Sequence, residues 1–273
     1  MEIMAQVTSG DVSIVYDDLG QGEPALLFLP GWCTNRSVFQ NLLPLCAKYR
    51  RALALDWRGH GESGSPTGDF GNDDLIEDAL NVIQSSGVQR IVPVALSHAG
   101  WVAIELRRRL QARIEKLVLL DWIILMQPPR EFFAALDGLQ SPDRWHETAE
   151  RLFSLWLGDV ERDALIHFVR HEMGAYGFTM WSRAAREISA AYADMGTPLQ
   201  ILAAMIPPCP VMHLYAQPDD PGYLAAQEFF ATSHSWFKVR RLKARSHFPM
   251  FEVPDVIVAT IEEFAREPTP VGQ

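Results

Sequence analysis

Ser97 and His247 are the two residues of this chain whose surroundings first point to chemistry. Ser97 lies in Ala95-Leu96-Ser97-His98-Ala99-Gly100, between an apolar run ending at Leu96 and a helical pattern beginning near Ala99. That is the strand–turn–helix setting of a nucleophile elbow, whose usual pattern is Gly-x-Ser-x-Gly. Ala95 and Ala99 stand where the glycines would be. Small side chains are what the tight turn requires, so the elbow survives sterically. A serine that merely caps a helix is the plainer reading. His247, in Ser246-His247-Phe248-Pro249, follows the last strand-like run and faces the elbow if the sheet is doubly wound. A partner acid is available in two places: Asp121 after Leu117–Leu120, and Asp219 or Asp220 after Val211–Tyr215. Spacing does not choose between them. A serine, a histidine and an acid in this order can hydrolyse esters or lactones through a serine nucleophile.

Two further motifs end buried strands. Leu29-Pro30-Gly31-Trp32 places a glycine where backbone N–H groups can turn toward a ligand. Asp56-Trp57-Arg58-Gly59-His60-Gly61-Glu62-Ser63 is a tight loop in which His60 reads as structural. His167 and His171 lie at i and i+4, a spacing that can chelate zinc, but the His-Glu-x-x-His order is missing and a solvated face is expected. Cys33 reads as packing, and Arg107-Arg108-Arg109 as a solvated, charged helix face.

The elements that must position these residues alternate. Short apolar runs at Ala25–Leu29, Ala52–Leu55, Ile91–Leu96, Leu117–Leu120 and Val211–Tyr215 suit strands buried on both faces of a mainly parallel sheet. Helical patterns at Asp73–Ser85 and Trp101–Ala112 lie between them, and a hairpin-like start at Val12–Tyr16 precedes them. From about Pro128 to Pro207 no strand-like run occurs. Helical stretches such as Arg144–Leu157, Asp163–Met173 and Arg183–Asp194 predict a cap over the sheet. The pattern then resumes with a helix near Tyr223–Ala231, a strand near Phe237–Leu242 and a helix near Val256–Arg266. The tail Glu267–Gln273 is expected to fray. The class is therefore α/β, with a doubly wound core over 1–127 and 208–273 and a helical cap over 128–207.

Composition narrows the partners. The 273 residues carry a formal charge of −10, a poor basis for binding nucleic acid or an anionic membrane. No apolar run reaches the roughly 18 residues of a membrane helix. Met1–Gln6 lacks a basic segment leading into an apolar one, and the three cysteines are widely spaced. A cytoplasmic protein with reduced thiols is expected, its oligomeric state left open.

Four motifs in this order resemble the α/β-hydrolase fold over nearly the whole chain. The details resemble a narrower family. Pro30-Gly31-Trp32-Cys33, Trp57-Arg58-Gly59-His60-Gly61, Ser97-His98 with Gly100-Trp101-Val102, Asp121-Trp122, Trp156-Leu157, Glu172-Met173 with Tyr176-Gly177 and Trp181, and His247-Phe248-Pro249 are similar to the cofactor-independent 2,4-dioxygenases of 3-hydroxy-4(1H)-quinolones and 3-hydroxy-4-oxoquinaldine. The likeness runs from about residue 24 to 265.

The resemblance implies insertion of dioxygen at C2 and C4 of the ring, giving an N-acylanthranilate and carbon monoxide, with dioxygen as co-substrate and no cofactor. It implies that His247 deprotonates the 3-hydroxyl and that Asp121 orients His247. Ser97 hydrogen-bonds the substrate rather than attacking it, the Trp32 and His98 N–H groups form the oxyanion hole, and Trp156 borders the pocket. Two positions depart from the oxoquinaldine-cleaving pattern: Thr34 and Leu96 stand where it has histidines. A less polar site favours a lipophilic substrate, so a 2-alkyl-3-hydroxy-4(1H)-quinolone of the Pseudomonas quinolone signal type is expected. Phe132, Phe133, Phe153, Phe178, Met173 and Met180 are the cap residues expected to bury its tail. Hydrolysis by Ser97, His247 and an acid is the alternative.

Overall fold

The computed structural model describes residues 3–268. Eight strands form one sheet in the order β1-β2-β4-β3-β5-β6-β7-β8. β1 (Ile3–Ser9) and β2 (Val12–Leu19) make an antiparallel hairpin, and β2 pairs antiparallel with β4 (Ala52–Leu55). All remaining pairings are parallel: β4 with β3 (Ala25–Leu29), then β5 (Ile91–Leu96), β6 (Leu117–Leu120), β7 (Val211–Tyr215) and β8 (Phe237–Arg241). Every residue of β3 to β7 is buried, which explains their unbroken apolar runs. β8 lies at the edge and alternates, turning Lys238 and Arg240 outward from Phe237 and Val239.

Helices cover both faces. The one-turn α1 (Leu43–Cys46) links β3 to β4, α2 (Asn72–Ser86) links β4 to β5, and α3 (Ala99–Leu110) links β5 to β6. Between β6 and β7 come only helices: α4 (Arg130–Leu139), α5 (Trp145–Leu157), α6 (Asp163–His167), α7 (Phe178–Met195) and α8 (Pro198–Ala203). The stretch expected as one helix over Asp163–Met173 changes winding. α6 runs into a π-turn over Phe168–Glu172 and a 3-10 turn over Met173–Ala175. α9 (Pro221–Ser233) and α10 (Pro254–Arg266) complete the core.

Two expectations need correction. Arg107 is buried rather than solvated, and only Arg108 and Arg109 of that run form the outer face, pairing with Glu105 and Glu77. The start of the tail is held: Lys116 Nζ, itself buried, donates to the carbonyl of Glu267 at 2.6 Å. Residues 269–273 of the tail lie outside the described residues.

Candidate active site

The chain enters the sheet in one direction at β3 and turns to the other side at β5. Ligands of open α/β sheets bind where that reversal leaves a crevice beyond the strand ends. Gly31-Trp32 after β3, Ser97 after β5, Asp121 after β6 and His247 after β8 all stand at those carboxyl ends. They line one cavity of about 1110 Å³ beneath the cap.

Three residues around this cavity hold strained backbones, Cys33 (φ 57°), Ser97 (φ 52°) and Asp121 (φ 46°). The elbow at Ser97 thus forms with Ala95 and Ala99 in place of glycines. Gly100 is the glycine that the elbow cannot lose, because a Cβ there would run into the ring of Trp122. The N–H groups of Trp32 and His98 make no hydrogen bond among the described residues. His60 steadies the first of these turns. Its Nε2 accepts from the Cys33 N–H at 3.1 Å and its Nδ1 donates to the Arg58 carbonyl at 2.9 Å.

His247 Nδ1 lies 3.1 Å from Asp121 Oδ2. The other oxygen of Asp121 accepts two backbone N–H groups, from Ala216 at 2.8 Å and Gln217 at 2.9 Å. Those bonds fix the carboxylate, which is fully buried, and leave Oδ2 for the imidazole. The rival acids are engaged elsewhere: Asp219 pairs with Arg241, and Asp220 caps α9 by accepting the Gly222 N–H at 2.8 Å. With its Nδ1–H donated to Asp121, His247 turns the lone pair of Nε2 toward the cavity. Trp156 stacks on the imidazole at 5.6 Å and 26°, and Trp181 stacks behind Trp156 at 6.2 Å and 26°. The His247 N–H also donates to the Trp156 carbonyl at 2.8 Å.

The cap motif Glu172-Met173 with Tyr176-Gly177 has a structural use. Glu172 accepts from Asn35 Nδ2 at 2.9 Å and Ser37 Oγ at 2.7 Å, and the Tyr176 hydroxyl accepts the Gly61 N–H at 3.2 Å. Both clamp the cap onto the loops after β3 and β4.

The alpha/beta hydrolase family pattern matches residues 26–260. A 2-heptyl-3-hydroxy-4(1H)-quinolone dioxygenase of Mycobacteroides abscessus is 37% identical over 92% of this chain and 94% of its own length. A 1H-3-hydroxy-4-oxoquinoline 2,4-dioxygenase of Pseudomonas putida is 34% identical over 89% and 92%. This chain belongs to the family of 3-hydroxy-4-quinolone dioxygenases, within the alpha/beta hydrolases. The solved structure of a family member that recognises and ring-cleaves the Pseudomonas quinolone signal, in complex with its product, superposes with a TM-score of 0.91 at 35% identity, covering 97% of this chain and all of that one.

Within this family member the cavity divides in character. Its floor carries the polar groups described above. Its upper walls come from α4, α5 and α7 and are mainly apolar, with Phe132, Ala135, Leu136, Leu139, Leu152 and Ile188, although Glu131, Thr148 and Arg151 also reach it. Thr34 and Leu96 also line it. Of the six cap residues expected around a tail, only Phe132 and Met173 reach the cavity. Phe153 is buried against Trp156 and Trp181, Phe178 faces Trp145, and Met180 lies over Gly59. Leu136, Leu139, Leu152 and Ile188 line it there instead. Helical periodicity in the cap could have pointed to them, but not to which stripe faces the sheet.

His167 and His171 lie with ring centres 5.0 Å apart. Among the described residues no group of three His, Cys, Asp or Glu is placed to hold a metal, and no helix is long and apolar enough to cross a membrane.

Burial pushes the pKa of His60 and His213 down to about 4 and that of His98 down to about 3. In the unfolded chain all three titrate near 6.5, so below that pH the unfolded state binds the extra protons. Stability is complete above about pH 6.5 and drains as pH falls toward 4, by up to roughly 1.4 kcal/mol per group per pH unit. Thermal melts at pH 7 and pH 5 are expected to show a clear drop in Tm. His213→Gln should reduce that drop; an unchanged Tm between the two pH values would contradict this account.

Proposed function

We propose that this dioxygenase opens 2-alkyl-3-hydroxy-4(1H)-quinolones without a cofactor. One oxygen atom of dioxygen ends on C2 and the other on C4. C3 leaves with its own oxygen as carbon monoxide, and an N-acylanthranilate remains. The observation that carries the reading is the lone pair of His247 Nε2, backed by Asp121 and opening into a cavity with a polar floor and mainly apolar walls.

Triplet dioxygen reacts slowly with closed-shell molecules, so the protein must supply an electron-rich partner. The deprotonated quinolone is one by itself. His247 takes the 3-hydroxyl proton, and Asp121 stabilises the imidazolium. The free N–H groups of Trp32 and His98 steady the negative oxygen, and the Ser97 hydroxyl hydrogen-bonds the ring system. Trp156 closes the cavity over His247 and keeps water from the anion. The three buried, unpaired thiols suit a reducing, cytoplasmic setting.

The test uses chelator-treated protein with 2-heptyl-3-hydroxy-4(1H)-quinolone, in air and under nitrogen, following substrate absorbance and headspace carbon monoxide. Loss of substrate in air with stoichiometric carbon monoxide, and none under nitrogen, is expected. Turnover in air without carbon monoxide would overturn the reading.

A further inference from the structure

His98 offers the site more than its backbone N–H. Its Nδ1 lies 3.2 Å from Trp122 Nε1. An indole N–H only donates, so Nδ1 must accept and the ring carries its proton on Nε2. Burial, with His247 nearby, keeps the ring neutral. Nε2 has no hydrogen-bond partner among the described residues, yet it is absent from the enclosed polar atoms left without one, and His98 lines the cavity. The Nε2–H therefore opens into that cavity. The ring has little freedom to turn. It meets Trp122 edge-on at 6.2 Å and Tyr192 edge-on at 5.7 Å, with Phe132 at 5.6 Å. Tyr192 is itself tied by its hydroxyl to the Ile123 carbonyl at 3.0 Å, and Trp122 is seated in the space left by Gly100.

Two histidines thus face one cavity with opposite hydrogen-bonding roles. His247 Nε2 is an acceptor because Asp121 takes the proton on the far side of its ring. His98 Nε2 is a donor because Trp122 supplies one to the far side of its own. Building on the substrate reading above, we infer that the His98 Nε2–H donates to the oxygen system of the quinolone anion and that Trp122 is the positioning residue that fixes this tautomer. The division suits a 3-hydroxy-4-oxo edge, which presents one proton to remove and one oxygen to hold. A neutral donor stabilises the anion without protonating it, so the electron density that dioxygen must attack is kept.

The experiment binds 2-heptyl-3-hydroxy-4(1H)-quinolone under nitrogen at one fixed pH and reads the ratio of anion to neutral ligand by absorbance. His98→Leu is expected to lower that ratio roughly ten- to hundred-fold, the range for losing a hydrogen bond to a charged oxygen. His98→Gln, whose amide reaches the Nε2 position, should stay within about threefold of the wild type. His98→Asn, whose amide reaches only the Nδ1 position, should behave like His98→Leu. Trp122→Phe keeps an aromatic ring but frees the tautomer, and should lower the ratio severalfold. A ratio unchanged in His98→Leu, or lost equally in His98→Gln, would overturn the inference alone. A wild-type protein that leaves the ligand spectrum unchanged would overturn the substrate reading and this inference with it.

Discussion

Replacing His247 by Ala is expected to lower kcat/KM for 2-heptyl-3-hydroxy-4(1H)-quinolone by about 100- to 10,000-fold, the range for losing a positioned general base. Asp121→Asn should cost nearly as much, for a reason visible in the site. The Ala216 and Gln217 N–H groups hold Oδ1 of Asp121 and would hold the carbonyl of an asparagine in the same place. The amide NH2 would then face His247 Nδ1, which could only accept. The proton would move to Nε2, and the base would be lost although the ring stayed where it is. Ser97→Ala removes one neutral hydrogen bond to the substrate and should cost about tenfold or less. That ordering separates ring cleavage from serine hydrolysis. In a hydrolase Ser97→Ala would match or exceed His247→Ala, since nucleophile and base act as one unit. Steady-state kinetics of the three variants decides it, and a Ser97→Ala loss as deep as that of His247→Ala would sink the general-base account.

The second large effect is expected from the substrate's tail. A 2-heptyl group has six more CH2 units than a 2-methyl group, and full burial contributes about 0.8 kcal/mol for each, a ceiling near 5 kcal/mol. Ordering a flexible chain offsets about half of it. The heptyl substrate should therefore exceed the methyl one by about 100-fold in kcat/KM. Ala135→Phe, on the apolar wall from α4, should shrink that ratio by filling the space with a ring. Equal kcat/KM for the two substrates, or a preference for methyl, would contradict a tail bound between α4, α5 and α7.

Much of the molecule was legible in the linear chain. The strands β3 to β7 are buried on both faces, so their apolar runs stand out without any neighbour's help. Ser97, Asp121 and His247 each follow a strand, and the ends of parallel strands gather at one edge of the sheet, so their order along the chain already implied a shared site. Other features depended on the fold. Spacing alone left Asp121, Asp219 and Asp220 open; the family resemblance pointed to Asp121, and the fold supplies the physical reason, with Arg241 and the α9 N-terminus engaging the other two. The misreading of Arg107 and of the cap phenylalanines has a related cause. A helix announces an apolar stripe, but which neighbour that stripe meets is set by packing across distant segments.

The sequence by itself determined the α/β class, the order of the chemical groups and the family, because these rest on residue types, local period and contiguous motifs. Only the tertiary structure decided how Asp121 is held against His247, which side chains wall the cavity, and which proton each cavity histidine carries. Those depend on atoms a few ångströms apart in space and far apart in the chain: 126 residues between Asp121 and His247, 24 between His98 and Trp122.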